Sequence, residues 1–287
     1  FERDCSSQRR YQKVLEEAPA LSIPQVTKQK MYKAAIDIAN KIDYQSLGTI
    51  EFIVDVQSNK IDPPFFFLEM NTRLQVEHPV TEEILNMDLV ELQINIALGK
   101  RLNIDGNKVM PRGHAIEARI YAEDAKNDFL PSPGDIKKLD LPTKGRLDFG
   151  VRSGDQISTF YDPMLGKIIV HGDSREKARA HLATCLKGMY VRGIETNKDF
   201  LGYVLNSKLF KKDMIQITDL DNLALQFKKL LPESIEVIGA ALIVLSSESQ
   251  FKNKMWRLWG SGATNIFLKQ TEKNYEIKIS SSAVSYT

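Results

Sequence analysis

The fold of this chain is decided by one stretch, Glu69-Met70-Asn71-Thr72-Arg73-Leu74-Gln75-Val76-Glu77-His78-Pro79. Its odd positions carry an acid, an amide, a base, an amide and an acid, namely Glu69, Asn71, Arg73, Gln75 and Glu77. Alternate side chains of an extended strand point to one face, so these five would line a single surface. The pattern is typical of a polar ligand site. An exposed strand face with Glu–Arg pairing is the other interpretation.

The residues before this stretch favour the ligand site. Phe65-Phe66-Phe67-Leu68 is a continuous apolar run, and a strand that is apolar on both faces is usually buried. Polar groups at the end of a buried strand lie where a sheet opens to a ligand. Carboxylate and amide oxygens suit Mg²⁺, and an arginine offers a planar fork to an oxyanion. The stretch therefore predicts a site for a divalent cation and an anion.

A second strand precedes the apolar run. Residues 48–55 are rich in strand-forming side chains and the turn-like residues 57–60 follow, so a β-hairpin is predicted. In that hairpin Glu51 would face Glu69 and Asn71 on the opposite strand. Two neighbouring carboxylates repel each other unless a cation lies between them. We therefore predict Glu51, Glu69 and Asn71 as metal ligands, and an ordinary surface role for Glu51 is the alternative.

The same stretch resembles a family signature. Residues 69–82 are similar, over fourteen consecutive positions, to the signature of biotin carboxylases, which belong to the ATP-grasp superfamily. Further similar blocks lie within residues 2–13, at residues 113–124 and at Tyr161-Asp162-Pro163-Met164 with Lys167. The resemblance covers roughly residues 1–205. It implies an α+β fold, in which the C-terminal part of an ATP-grasp domain is followed by a biotin carboxylase C-terminal domain.

The resemblance also implies binding roles for the polar residues. Glu51 and Glu69, helped by Asn71, would hold Mg²⁺ or Mn²⁺ ions that bridge the phosphates of ATP. The implied bicarbonate ligands are Lys13, Arg73, Gln75, the Val76 backbone and Glu77. The implied nucleotide contacts are Gln8, Tyr11, Glu51 and Glu69. Many relatives have histidine at the position of Tyr11, in the segment that borders the nucleotide.

The implied catalytic residues are Glu77, Arg73 and Arg119. Glu77 would be the general base that takes the bicarbonate proton, so that the bicarbonate oxygen attacks the γ-phosphate of ATP. Arg119 would stabilise the carboxyphosphate and the biotin enolate. Without the resemblance, a structural ion pair of Arg119 with Glu117 or Glu123 would be the preferred interpretation.

Motifs and composition divide the chain into four predicted segments. They are the C-terminal part of an ATP-grasp domain (1–108), a biotin carboxylase C-terminal domain (109–208), a helical linker (209–253) and a partial β-rich subunit-docking segment (254–287). Helices are predicted at residues 27–42, from Asp88 to residue 98, and from Ser174 to residue 190. The inward residues predicted for the last helix are Ala178, Leu182, Leu186 and Met189. Strands are predicted at residues 115–121, 135–141 and 167–171. The alternation of side chains also predicts strands at residues 255–260, 266–268 and 275–279. The apolar faces of the first two helices are expected to pack in a core.

The composition excludes several classes of protein. A chain of 287 residues with 43% hydrophobic content can bury a substantial core. Lys plus Arg exceeds Asp plus Glu by only two (39 − 37), so no bulk charge favours nucleic acid. Cys5 and Cys185 fit a reducing compartment, and the longest apolar run, residues 237–245, is shorter than the about 20 residues of a membrane helix. We expect no nucleic acid or membrane partner, and a location in the bacterial cytoplasm or the mitochondrial matrix of a eukaryote.

The resemblance implies the biotin carboxylase part of an acyl-CoA carboxylase alpha subunit of the methylcrotonyl-CoA or propionyl-CoA type. Its partners would be a biotin carrier domain, a carboxyltransferase (beta) subunit and a second copy of the chain. The sequence has no Met-Lys-Met biotinylation motif, so biotin would be a substrate on a separate carrier. The family residues that cover the triphosphate lie upstream of the match to Phe1, and both ends look cut, so we expect no ATP turnover by this chain alone. A non-catalytic dimerisation and docking module, or another ATP-grasp ligase such as carbamoyl phosphate synthetase, are the alternatives.

Overall fold

The computed structural model describes residues 1–58, 61–102, 104, 106, 108–229, 262–270 and 273–281. The chain forms two compact units, Phe1–Lys228 and Lys229–Thr287. The strands are β1 (Asp4–Arg9), β2 (Gln12–Ala18), β3 (Thr49–Val54), β4 (Phe65–Asn71), β5 (His114–Tyr121), β6 (Glu123–Asp124), β7 (Leu130–Pro131), β8 (Gly134–Asp135), β9 (Lys138–Asp140), β10 (Arg146–Phe149), β11 (Gln156–Ile157), β12 (Met164–Gly172), β13 (Tyr190–Arg192), β14 (Gly262–Gln270) and β15 (Lys273–Ser281). The helices are α1 (Gln25–Lys41), α2 (His78–Leu85), α3 (Leu89–Ala97), α4 (Arg175–Gly188), α5 (Lys198–Asn206), α6 (Lys208–Lys211) and α7 (Asp219–Lys228).

A five-stranded sheet organises the first unit. Its strand order is β1-β2-β5-β12-β10, and each neighbouring pair is antiparallel. The middle strand, β5, has all eight of its residues buried. Strands from both sides of residue 108 therefore share one sheet, although a segment boundary was predicted there. The four predicted segments stay a prediction.

The two faces of this sheet bury different side chains, because successive strand residues point to opposite sides. One face, which includes Ile116, Ala118 and Ile120 of β5, belongs to the main core that α4, α5 and α7 cover. On the other face, a smaller apolar cluster joins the sheet to α2; it consists of Ala18, Val80, Ile84, Ala115 and Ile169. Other positions of this second face are charged, among them Glu16, Glu117, Arg119 and Lys167. The second face is thus partly apolar and partly ionic.

An ion network ties β2 to the helices on the main-core face. Glu17 accepts hydrogen bonds from Arg175 Nε at 2.6 Å and Nη2 at 2.8 Å, and lies 2.6 Å from His114 Nε2. Arg175 also donates to the Phe210 carbonyl at 2.7 Å. Burial raises the pKa of Glu17, but the hydrogen bonds and charges of His114 and Arg175 outweigh burial and hold that pKa below its ordinary value. Strand and helices therefore share a charge pair that is shielded from water.

The predicted hairpin is formed by β3 and β4. Glu51 is paired with Glu69, and Thr49 is paired with Asn71. A bulge separates Glu51 from the next residue, which ends the regular register at this point. The prediction that Glu51 faces Glu69 across the hairpin is confirmed.

The predicted burial around this hairpin is wrong for the described residues. Phe66, Phe67 and Leu68 expose 60%, 56% and 53% of their surfaces. Among the described residues β3 and β4 pair only with each other, so no further strand covers them. The apolar faces of α1 and α3 do not enter a core either, since α1 buries only Thr27 and Lys28 and α3 buries no residue.

Two predicted helix starts are confirmed. The side chains of Asp88 and Ser174 each accept a hydrogen bond from the backbone N–H three residues later, as N-caps do. The predicted inward residues of α4 are all buried; they are Ala178, Leu182, Leu186 and Met189. The end of α4 differs from the prediction, because Tyr190 begins β13, which pairs with β9.

The second unit is described by β14 and β15, which form an antiparallel hairpin from Gly262 opposite Ser281 to Gln270 opposite Lys273. Strands predicted from the alternation at residues 266–268 and 275–279 are confirmed. The predicted strand at residues 255–260 and most of the predicted linker lie outside the described residues. No described helix is long and apolar enough to cross a membrane.

A comparison of two glycines with positive φ tests how closely the backbone is packed at the start of β5. Gly113 (φ +66°) precedes β5, and a methyl group there would lie 2.4 Å from the carbonyl oxygen of Gly172, whereas one at Gly99 (φ +75°) would meet nothing within 4 Å. Alanine at either position costs about 1–2 kcal/mol of backbone strain, but only Gly113→Ala adds a clash with the backbone. We expect Gly113→Ala to lower the free energy of unfolding by at least about 1 kcal/mol more than Gly99→Ala, measured by urea denaturation. Equal losses would show that the strands separate to make room.

Candidate active site

The polar stretch is a strand only over its first part. β4 ends at Asn71, and the chain then turns through residues 72–77 into α2, with Pro79 in the first helical turn. Proline suits the start of a helix and cannot continue a hydrogen-bonded strand. The prediction that Glu69 to Glu77 forms one strand face is therefore wrong beyond Asn71. A turn, rather than strand alternation, positions the later side chains.

The turn divides the stretch into buried and exposed groups. Gln75 and Glu77 expose only 5% and 2% of their surfaces, whereas Glu69 and Arg73 remain exposed. His78 Nδ1 lies 2.8 Å from the Gln75 carbonyl and closes the turn. The buried pair can therefore serve as a fixed framework, and the exposed arginine faces solvent.

Three donors meet at one oxygen of Glu51. Its Oε1 accepts hydrogen bonds from Lys13 Nζ at 2.7 Å, Gln75 Nε2 at 2.6 Å and Asn71 Nδ2 at 3.1 Å. Asn71 Nδ2 also donates to Glu69 Oε1 at 2.8 Å. Among the three predicted metal ligands, Asn71 thus contacts both Glu51 and Glu69. Glu51 exposes 19% of its side chain, so it is not the ordinary surface acid of the alternative interpretation.

The side-chain oxygens of Glu51, Glu69 and Asn71 fit a divalent cation. The two carboxylates and the amide oxygen of Asn71 are the hard oxygen ligands that Mg²⁺ and Mn²⁺ take. One amide nitrogen reaches both carboxylates, so both have an oxygen within reach of a common point. The part of the chain that the structure describes holds no group of three or more His, Cys, Asp or Glu suited to a metal. Oxygens from Asn71, water or a substrate would therefore complete the coordination.

Glu77 is a buried carboxylate held between two cations. Its Oε1 lies 3.1 Å from Lys13 Nζ, and its Oε2 accepts a hydrogen bond from Arg119 Nη2 at 2.8 Å. Burial raises the pKa of Glu77, but the charges of Lys13, Arg3 and Arg119 outweigh burial, so the pKa lies below its ordinary value. Glu77 is therefore ionised at neutral pH, which is the state a general base requires.

Arg119 has partners other than those of the structural alternative. Its Nη2 lies 2.5 Å from Glu16 Oε1 and 2.8 Å from Glu77 Oε2. Glu117 instead lies 3.6 Å from Lys167 Nζ, and the nearest cation to Glu123 is Arg9 at 2.9 Å. The alternative interpretation, an ion pair of Arg119 with Glu117 or Glu123, is therefore wrong, and the catalytic role of Arg119 stays a prediction. Arg119 is joined to the candidate base itself.

Two residues that the sequence analysis gave no role hold the predicted bicarbonate ligands in place. Arg3 donates from Nη2 to Gln75 Oε1 at 2.7 Å and from Nη1 to Thr81 Oγ1 at 3.1 Å. Lys167 Nζ donates to the carbonyl oxygen of Val76. Both cations fall within the blocks that resemble biotin carboxylases. That similarity was the signal that could have identified them.

The structure does not bring every predicted site residue to the cluster of contacting polar side chains. That cluster consists of Lys13, Glu51, Glu69, Asn71, Gln75, Glu77 and Arg119. Tyr11 lies in the β1–β2 turn with 88% of its surface exposed, and Gln8 Nε2 donates to the Cys5 carbonyl at 2.8 Å. Arg73 donates to the carbonyl of Leu74 at 3.1 Å and lies at the rim of the cluster. The nucleotide role of Gln8 and Tyr11 stays a prediction.

Comparisons with known proteins match most of the chain. Two protein-family models match the sequence. The family model for the biotin carboxylase C-terminal domain matches residues 117–222, and the family model for the carbamoyl-phosphate synthase L chain ATP-binding domain matches residues 1–105. Biotin carboxylase 2 of Bacillus subtilis (strain 168) is 49% identical over 214 residues, which cover 74% of this chain and 47% of that protein. The mitochondrial methylcrotonoyl-CoA carboxylase subunit alpha of Mus musculus is 46% identical over 204 residues, which cover 70% of this chain and 28% of that protein.

A solved relative carries the same fold. The biotin carboxylase domain dimer of Hydrogenobacter thermophilus 2-oxoglutarate carboxylase, in complex with MgADP, ADP and bicarbonate, has a TM-score of 0.75 and 34% identity, covering 80% of this chain and 50% of that one. The chain spans about half the length of the bacterial relative (47%). The 214-residue alignment is longer than either family-model match and must include parts of both. This favours biotin carboxylases over the carbamoyl phosphate synthetase alternative.

The pH dependence of stability can be used to test Glu16, one of the charged residues on the second face of the sheet. Burial raises its pKa to about 7 against the opposing charge of Arg119. The pKa of Glu16 in the folded protein exceeds the ordinary value of 4.5, so folding favours the protonated carboxyl. The resulting contribution of Glu16 to the free energy of unfolding is complete below pH 4.5 and is lost as the pH rises through 7. We expect the unfolding free energy of the wild type to fall relative to Glu16→Gln between about pH 5 and pH 8, by at most about 3 kcal/mol.

Urea denaturation at several pH values measures this difference. Glu176→Gln is the control, because Glu176 is exposed on α4 and Arg179 lowers its pKa instead of raising it. A difference between wild type and Glu16→Gln that did not change with pH would contradict the raised pKa of Glu16.

Proposed function

This chain belongs to the biotin carboxylase family, and we propose that it supplies the bicarbonate-activating part of an ATP-dependent biotin carboxylase site. The observation that carries the proposal is the environment of Glu77, whose two carboxylate oxygens contact Lys13 at 3.1 Å and Arg119 at 2.8 Å. Arg73 lies four residues earlier in the same turn and is exposed. An anion that enters from solvent would thus find positive charge at the rim and a proton acceptor inside.

Glu77 acts as the general base in this proposal. The proton passes from the bicarbonate hydroxyl to a carboxylate oxygen of Glu77. The carbonate oxygen freed of its proton attacks the γ-phosphorus of ATP, the bond to ADP breaks, and carboxyphosphate forms. Lys13 and Arg73 supply positive charge where negative charge develops on the carbonate.

The other bicarbonate ligands are held in fixed orientations before a substrate arrives. Arg3 holds the amide oxygen of Gln75, which leaves the amide N–H groups directed to Glu51. Lys167 holds the peptide of Val76. Glu51, Glu69 and Asn71 would hold Mg²⁺ or Mn²⁺, which neutralises phosphate charge during phosphoryl transfer.

The later steps involve groups outside this chain. Arg119 would stabilise the carboxyphosphate and then the enolate of biotin, which a separate biotin carrier domain presents. Carboxybiotin would serve the carboxyltransferase (beta) subunit of an acyl-CoA carboxylase, and two copies of this chain would form a homodimer. Gln8 and Tyr11 would contact the nucleotide. We propose the cytoplasm for a bacterial source and the mitochondrial matrix for a eukaryotic source.

The proposal predicts bicarbonate binding without ATP turnover by this chain alone. We expect ¹³C-bicarbonate to bind, and Arg73→Met to weaken its binding at least about tenfold, since a hydrogen bond to a charged group contributes about 1.5–3 kcal/mol. Arg152→Met is the matched control, because Arg152 exposes 89% of its side chain and lies outside the site. Broadening of the ¹³C signal measures binding, and phosphate release measures bicarbonate-dependent ATP hydrolysis.

Each result has a distinct meaning. Equal binding by the wild type and Arg73→Met would remove Arg73 from the site. A folded chain that bound no bicarbonate would support the docking-module alternative. ATP hydrolysis by the chain would refute the expected inactivity and leave the site assignment intact.

A second prediction concerns the metal ligands. We expect Mn²⁺ to broaden the amide NMR signals around Asn71, because the ion is paramagnetic and would lie between Glu51 and Glu69. Glu69→Gln should weaken Mn²⁺ binding about tenfold or more, since it removes one of two charged oxygen ligands. Glu83→Gln, on α2 outside the cluster, should not change it. Broadening centred elsewhere, or unaffected by Glu69→Gln, would reject the assignment.

A further inference from the structure

Two carboxylates share a single nitrogen of Arg119. Nη2 lies 2.8 Å from Glu77 Oε2 and 2.5 Å from Glu16 Oε1. Glu77 is the proposed base and must become neutral during the reaction. Glu16 has no part in the chemistry proposed above, yet it is buried with 1% of its surface exposed.

The backbone fixes Glu16 more firmly than it fixes Glu77. Glu16 lies in β2, paired directly with Glu117 of β5, and Arg119 follows two residues later on the same face. Glu77 lies in the turn before α2. The contact between Glu16 and Arg119 thus joins two neighbouring strands of one sheet, whereas the contact between Glu77 and Arg119 joins a turn to that sheet.

We propose that Glu16 is a positioning residue, which holds the guanidinium of Arg119 in place while Glu77 carries the proton taken from bicarbonate. This inference rests on the proposed function. Once a Glu77 oxygen is protonated, its attraction for Arg119 drops to that of a neutral hydrogen bond. Arg119 would then be free to leave the position in which it faces carboxyphosphate and biotin. The ionised carboxylate of Glu16 prevents this loss.

The charges around Glu16 support a stronger hold on Arg119 by Glu16 when Glu77 is protonated. The groups that act on it are Arg119 of β5, Glu77 of the turn, Lys13 of β2, Glu117 of β5 and Cys5 of β1. Burial is the main reason that the pKa of Glu16 is raised, and the negative charge of Glu77 raises it further. Protonation of Glu77 removes that repulsion. Glu16 therefore becomes a stronger partner of Arg119 at the moment when Glu77 becomes a weaker one.

Nitrogen-15 NMR of the arginine side chains tests the proposal on the chain itself. A guanidinium held by ion pairs rotates slowly about its Cζ–Nε bond and gives separate Nη signals, whereas a free one gives an averaged signal. Arg119→Lys identifies the signals of Arg119. Glu77→Gln, studied at about pH 8 where Glu16 is mostly ionised, represents the neutral state of Glu77. We expect separate Nη signals in Glu77→Gln and their loss in the double variant Glu16→Gln/Glu77→Gln.

The controls separate positioning from general stability. Glu123→Gln/Glu77→Gln removes another buried carboxylate, which pairs with Arg9, and should keep the separate signals of Arg119. Averaged signals in Glu77→Gln alone would overturn the proposal, because Glu16 would then be insufficient. Separate signals in Glu16→Gln/Glu77→Gln would also overturn it. Another group would then hold Arg119, such as the Tyr121 hydroxyl, which also forms a hydrogen bond with Arg119.

A second measurement decides the question if the double variant does not fold. The ¹³Cδ signal of Glu16 is titrated in the wild type and in Glu77→Gln, and the proposal expects a lower pKa in the variant. An unchanged or higher pKa would overturn it. Neither measurement uses bicarbonate, so the positioning role can fail while bicarbonate binding is found, and the reverse.

Discussion

The constraint on which this structure depends is a buried carboxylate, Glu77, that is ionised in the resting protein. Glu77 exposes 2% of its surface, and an unpaired ion at such a position would cost several kcal/mol. Its charge is compensated from two strands, by Lys13 of β2 and Arg119 of β5. The turn before α2 must therefore place Glu77 where it reaches both cations. Helix and sheet are fixed in one arrangement by electrostatics as well as by the apolar cluster beneath α2.

The same constraint explains why two acids on one arginine behave differently. Burial raises the pKa of both carboxylates, but Glu77 has Lys13 and Arg3 near it in addition to Arg119, and its pKa ends below the ordinary value. Glu16 depends mainly on Arg119, and its pKa rises to about 7. Neighbouring acids whose pKa values are driven apart are the usual sign of divided roles in a site. In the proposed function, the division would separate the proton acceptor, Glu77, from Glu16, which would hold Arg119.

The parts of this arrangement that could be predicted from sequence are those that local patterns determine. The hairpin that pairs Glu51 with Glu69 follows from a turn between two strand-forming runs, and the cap at Asp88 follows from side-chain chemistry. The end of β4 was missed, because a period-two polar pattern does not show where the strand gives way to a turn. Glu16 was missed for a different reason. Its partner Arg119 is about a hundred positions away (119 − 16 = 103), and only the register of β2 against β5 joins them.

This difference between local and long-range information corresponds to a physical division within the site. Arg73, the residue that would meet an incoming anion, lies on an exposed irregular segment that can adapt to a ligand. Glu16 and Arg119 are supplied by buried strands, whose backbone hydrogen bonds fix their relative position. The proposed proton transfer would change the charge of Glu77 without changing the sheet. Residues held by the sheet can therefore keep a reacting geometry through a step that alters the charge beside them, which a turn or loop alone could not do.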